Sequence, residues 1–172
     1  MIKLLGAILV LVSAYAIGSL LAMQVKEQER WLKDIKTALF LFMGELEYRQ
    51  LPMPDALELT GGRHNGKLSA FFGRVSEELK KKEGRSFQEI WSEAALQELR
   101  NSPLSKEQQE EFAGLGTYVM EPDAETRRNS IDFYLKRLEE DIMKLRETGA
   151  DKAYLCRMLG MLGGIFLLIL VL

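Results

Sequence analysis

Two uncharged apolar stretches, one at each end, constrain this chain more than any other feature. Residues 4–25, LLGAILVLVSAYAIGSLLAMQV, and residues 158–172, MLGMLGGIFLLILVL, contain no charged side chain. Apart from Lys3, everything charged lies between them. As a helix the first stretch is roughly 33 Å long, against a hydrocarbon core of about 30 Å. The second is roughly 22 Å, and about 30 Å if it begins at Ala153. Arg157 then falls at the headgroups, where it can snorkel, with Tyr154 as an interfacial aromatic. Lipid offers the backbone no hydrogen-bond partner, so each span has to be helical. The expected layout is a transmembrane helix over 1–25, a helical domain over 26–152 and a second transmembrane helix over 153–172.

Each stretch has a rival reading. The first resembles a signal peptide in its basic start at Lys3, but it exceeds the usual apolar core of about 7–15 residues and no A-x-A site follows. The second could be a buried core helix, yet it has no polar face. Lys26, Arg30, Lys33 and Lys36 follow the first stretch, and Lys144, Arg146, Lys152 and Arg157 lie at or just before the second. Only Lys3 and the amino terminus sit on the other side. The positive-inside rule therefore puts the central domain in the cytoplasm and both termini outside. Ala14, Gly18 and Ala22 share a face of the first stretch, and Gly160 and Gly164 a face of the second. Small residues at this spacing allow close helix packing in lipid, although glycine is also common in membrane helices without such a role.

Beyond the ends, about 130 residues remain, enough for one domain with a core. The middle holds all 25 acidic residues and 22 of the 23 basic ones. That mild acidity argues against a nucleic-acid partner, which needs a clustered basic excess. The single cysteine, Cys156, excludes an intramolecular disulfide and a cysteine-based zinc site.

Apolar spacing divides the middle into helices. Trp31, Leu32, Ile35, Leu39, Phe42, Met43 and Leu46 recur at three- and four-residue steps, predicting a helix over 26–50 that continues the first span. Lys33, Lys36, Glu45 and Glu47 are expected on its other faces, and Trp31 in the core. Pro52 and Pro54 end it, and Pro54 opens a short helix to Leu59. Gly61, Gly62, Asn65 and Gly66 read as a loop, without the spacing of a phosphate loop.

A third helix over 67–82 carries Leu68, Phe71, Phe72, Val75 and Leu79, with Gly84 as its stop. Its end, Lys80-Lys81-Lys82 beside Glu77, Glu78 and Glu83, reads as a solvated terminus rather than a binding patch. Ser86-x-x-Glu89 and Ser105-x-x-Gln108 are capping-box patterns that open the fourth and fifth helices. Phe87, Ile90, Trp91, Ala94 and Ala95 face inward on the fourth; Phe112, Leu115, Tyr118 and Val119 do so on the fifth. Ala113, Gly114 and Gly116 imply close approach of a neighbour. From Asp123 or Ala124 the 3.6-residue rhythm of Ile131, Tyr134, Leu135, Leu138, Ile142 and Leu145 runs to about Thr148, where Thr148-Gly149 predicts a kink. No strand alternation appears. The fold class is all-α.

Chemistry finds little to stand on. His64, the lone histidine, reads as a solvated loop residue. H-E-x-x-H, C-x-x-C, G-x-S-x-G and G-x-G-x-x-G are all absent, as is the Glu-x-x-His pair of a di-iron bundle. The expectation is no catalytic residue, no cofactor, no metal and no small-molecule substrate.

Taken together, these residues resemble the stage III sporulation protein AB family of endospore-forming bacteria, over essentially the whole length. Leu51-Pro52-Met53-Pro54-Asp55-Ala56-Leu57 is similar to that family's "PLPEAL" turn, and Phe87 to Trp91 to its short tryptophan-bearing helix. Phe112-Ala113-Gly114-Leu115-Gly116 resembles "L..FG..LG", and Tyr154 to Leu172 resembles "YR.LGVL.GL" with its aliphatic tail. One stretch departs: the family continues "LG.SD...Q", where this chain has Leu115-Gly116-Thr117-Tyr118, then Glu121-Pro122-Asp123 and Arg127.

The resemblance implies a small antiparallel helical bundle like the cytoplasmic domain of the type II secretion platform protein F, flanked by transmembrane helices. It also implies a role in the channel apparatus between mother cell and forespore. The protein would sit in the outer forespore membrane, facing the mother-cell cytoplasm, and couple a secretion-type ATPase (stage III sporulation protein AA) to the membrane-embedded components. On that reading the exposed faces of residues 54–119 dock the ATPase, with Glu107, Glu110 and Glu111 as contact residues. The alternative is a membrane-anchored scaffold or sensor with no ATPase partner.

Overall fold

A computed structural model describes the backbone of residues 2–171. Side chains are described over residues 22–149, at seven positions before them (6, 12, 13, 15, 16, 19 and 20), and at Met158. Six helices follow in order: α1 (Ile2–Glu47), α2 (Met53–Gly62), α3 (Gly66–Lys81), α4 (Phe87–Glu98), α5 (Lys106–Val119) and α6 (Ala124–Val171). There is no strand among the described residues. The chain divides into two units, one of residues 1–30 with 140–172 and one, the bundle, of residues 31–139.

Local sequence starts and stops the short helices. Pro54 stands in the first turn of α2, where its missing N–H costs nothing. Both capping boxes form: Ser86 Oγ accepts from Glu89 N at 3.2 Å and Ser105 Oγ from Gln108 N at 3.1 Å, and each side chain at the third position returns a bond to the cap's own N–H. Ser86→Ala and Ser105→Ala should each cost about 1 kcal/mol, read as a lower melting temperature of the full chain in micelles. Asp123 caps α6, accepting from Thr126 N at 2.7 Å. The Thr126 hydroxyl bond and then this amide hold the Asp123 carboxyl below its usual range.

Three expectations change in the details. α2 runs on through Gly61 and Gly62, because Thr60 and Gly61 are buried and that packing outweighs the poor helix propensity of glycine. The left-handed residue closing α3 is Lys82, with φ 52°, not Gly84, which takes φ 75° two residues further on. And α6 continues through Thr148-Gly149 with no break. Within the terminal unit, a Cβ on Gly149 would stand 2.7 Å from Val25 Cγ1. Close approach of α1, rather than a kink, is what glycine serves there. Arg146 Nε meets Glu29 at 2.7 Å on the same pair of helices.

The bundle core is aromatic. Trp91 of α4 is fully buried and its ring lies 4.8 Å from Phe71 and 5.4 Å from Phe112, centroid to centroid. Phe42, Phe72 and Phe87 complete the cluster. The indole N–H donates to Phe112 O at 2.8 Å, which satisfies its one polar atom in the interior.

Neighbouring short helices pair antiparallel. Ser76 Oγ near the end of α3 donates to Pro54 O at the start of α2 (2.8 Å), and Ser92 Oγ of α4 donates to Ala113 O of α5 (2.9 Å). A Cβ on Gly116 would fall 2.8 Å from Trp91 Cβ, so the predicted close approach is real there. At Gly114 nothing lies within 4 Å. Inside the bundle α1 and α6 are also antiparallel: Lys36 pairs with Glu139 and Glu47 with Arg128.

Most of the predicted inward faces hold, including Leu32, Ile35, Leu39, Phe42 and Met43 on α1. Trp31 is only half-buried, and Tyr118 is exposed. Glu45, expected on an outer face, is buried. Arg49 at 3.0 Å and Arg63 at 3.1 Å neutralise it there.

Candidate interaction surface

The three acidic residues expected to contact a partner all lie on α5, and the structure separates them. Glu107 and Glu111 are one turn apart and both meet the guanidinium of Arg137 on α6, Glu107 at 3.2 Å. Glu110 points to solvent. Arg137 was missed by sequence reasoning, since 26 residues of chain separate it from Glu111 and no local pattern links them. The pairing is mostly solvent-exposed, so it orients side chains more than it stabilises the bundle.

Between α5 and α6 the same edge carries a groove of about 750 Å³. Gly114, Ser130, Tyr118 and Phe133 line it, together with the paired Glu111 and Arg137. Phe133 is 69% exposed. α6 brings Asn129, Ser130, Phe133 and Arg137 to one side because they recur at helical spacing.

The other singled-out positions separate cleanly. His64 is only partly exposed: its backbone N–H donates to Gly61 O at 3.2 Å and its Nε2 is buried without a partner. No group of three His, Cys, Asp or Glu side chains that could hold a metal occurs among the described residues. Lys80 pairs with Glu58 of α2 and Lys81 with Glu78 of its own helix, so the lysine run is a solvated helix end paired with nearby acids. Of the small residues proposed for membrane packing, Ala22 is half-buried, while the side-chain positions of Ala14, Gly18, Gly160 and Gly164 lie outside the described residues. Most of the two expected spans lies outside them as well. Among the described residues no helix is long and apolar enough to cross a membrane.

A family model for stage III sporulation protein AB matches residues 3–172. The chain belongs to the stage III sporulation protein AB family. Stage III sporulation protein AB of Bacillus subtilis (strain 168) is 24% identical over 170 residues, which is 99% of either chain. A solved structure of stage III sporulation protein AB aligns with a TM-score of 0.67 at 19% identity, covering 72% of this chain and 97% of that one. At such identity the likeness is one of fold. Residues 115–127 form the end of α5, the turn and the start of α6. They contribute Leu115, Thr117, Tyr118 and Thr126 to the α5–α6 groove.

Proposed function

We propose that the protein is a membrane-held adaptor of the sporulation channel, with the bundle on the mother-cell cytoplasmic side of the outer forespore membrane. It links a secretion-type ATPase, stage III sporulation protein AA, to membrane-embedded components, and has no catalytic site of its own. The observation that carries this reading is helical continuity. α1 and α6 run without a break from the apolar ends into the bundle, over 46 and 48 residues. A helix passes a push or a rotation along its axis, so an ATPase bound to the bundle can act at the bilayer through these two elements.

A second observation supports lipid contact for the first stretch. Four of its large apolar side chains, Val12, Tyr15, Leu20 and Met23, are each at least 60% exposed. Water makes that arrangement unfavourable, and a hydrocarbon surround does not.

Docking of the ATPase is assigned to the exposed faces of residues 54–119. Glu110 is the cleaner probe there, because reversing Glu107 or Glu111 also sets a cation against Arg137. Glu110→Lys should lower ATPase co-purification roughly two- to fivefold with the fold intact, as expected for an exposed rim charge. The triple reversal of Glu107, Glu110 and Glu111 should weaken it further. Unchanged recovery across a charge-reversal scan of 54–119 removes this surface from the docking role.

A further inference from the structure

The α5–α6 groove is complementary to itself. α5 offers an opening, since nothing lies within 4 Å of where a Cβ on Gly114 would stand. α6 offers a projection, since Phe133 is 69% exposed. A short turn joins the two helices, so they run antiparallel, and Arg137 stands level with Glu107 and Glu111. One turn further along each helix, Phe133 stands level with Gly114.

Charge repeats the pattern. Glu110, one turn before Gly114 on α5, and Lys136, about one turn after Phe133 on α6, are both exposed. Neither has an ion-pair partner among the described residues. Arg137 goes to Glu107 and Glu111, and Asp132 and Glu140, one turn to either side of Lys136, do not pair with it. Towards the other end, exposed Thr117 of α5 stands level with exposed Asn129 of α6. α5 therefore carries acid, opening and hydroxyl at the levels where α6 carries base, ring and amide.

Within one copy both halves face outward. A two-fold axis parallel to the helices sets α5 of one copy against α6 of the other and leaves every level unchanged, so each half meets its complement twice. We propose that the α5–α6 edge is the contact between two copies of this chain. Phe133 of each copy enters at Gly114 of the other, Lys136 meets Glu110, and Asn129 meets Thr117. An axis across the helices would turn one copy over, whereas two copies held in one membrane point the same way. That choice of axis rests on the membrane-held reading. The patch is one groove wide, so pairing is weak in free solution and gains from confinement to a bilayer.

The test is disulfide trapping of the full chain in proteoliposomes, with Cys156→Ser as background. Chains carrying Thr117→Cys are mixed with chains carrying Asn129→Cys and oxidised; both sites are exposed, so the fold is kept. The mixture should give several-fold more cross-linked dimer than either chain alone, or than chains carrying Arg100→Cys at an exposed site off the groove. Phe133→Ala and Gly114→Gln should each lower the yield roughly threefold or more, the second without lowering the melting temperature, because glutamine is the better helix former. Lys136→Glu should also lower it about threefold, and adding Glu110→Lys should restore it. Lys136 lies outside residues 54–119, so its reversal weakens pairing without altering the face assigned to the ATPase. No dimer above the Arg100→Cys level, a dimer indifferent to Phe133→Ala, or Thr117→Cys chains that cross-link with themselves as readily as with Asn129→Cys chains would overturn the proposal. Loss of ATPase recovery with Phe133→Ala, in the absence of any dimer, would give the groove to the ATPase instead. The membrane-held reading fails separately, by a chain that does not rise with the vesicles.

Discussion

Trp91→Ala is expected to destabilise the bundle by about 3–5 kcal/mol, the cost of emptying a large buried aromatic site. The indole is fully buried and touches rings from α1, α3, α4 and α5, so the neighbours cannot collapse into the space without giving up their own contacts. Phe112 O also loses its 2.8 Å donor. Trp91→Phe separates the two causes. It keeps most of the volume and drops the N–H, so its cost should be nearer 1–2 kcal/mol, made up of the lost hydrogen bond and a small void. Hydrogen exchange of α3–α5 amides in the micelle-held full chain measures both. Equal protection in wild type and Trp91→Ala would show that the aromatic cluster does not hold the bundle together.

The second large effect is a pair of opposite signs two residues apart. Gly116→Val places its Cβ 2.8 Å from Trp91 Cβ and 2.5 Å from Gln88 Oε1. The Gln88 end can swing away; Trp91 is locked in the core and cannot. Overpacking of this kind costs at least 1–3 kcal/mol, and here α5 has to move off α4. Gly114→Ala meets nothing within 4 Å and replaces the weakest helix former but proline, so it should gain up to about 1 kcal/mol. Melting temperatures of the two variants should move in opposite directions from wild type. Movement in the same direction contradicts the α4–α5 packing.

What the sequence made legible was whatever depends on near neighbours. The serine caps at 86 and 105, Pro54 in the first turn of α2 and the apolar stripes of α1 and α3 all act within a turn or two, and all appear in the fold. What stayed hidden depends on elements distant in sequence. Glu45 is placed by a stripe argument on an outer face, yet Arg63, in the loop after α2, makes its burial tolerable. Gly114 and Gly116 are indistinguishable as letters, and only the position of Trp91 on α4 assigns one to contact and the other to a groove. Gly149 reads as a hinge by itself and becomes a contact point only opposite Val25.

The interaction surface follows the same division. Glu107, Glu110 and Glu111 are visible on one helix, but Arg137, which ties up two of them, is not.

The adaptor reading is tested most directly by flotation. Proteoliposomes carrying the full chain are washed with carbonate, mixed with purified stage III sporulation protein AA and spun through a density gradient. The account predicts that the chain stays with the vesicles after the wash and that the ATPase rises with them, less so with the Glu107, Glu110 and Glu111 reversal. A chain stripped off by carbonate, or an ATPase left at the bottom beside a fully floated chain, would contradict it.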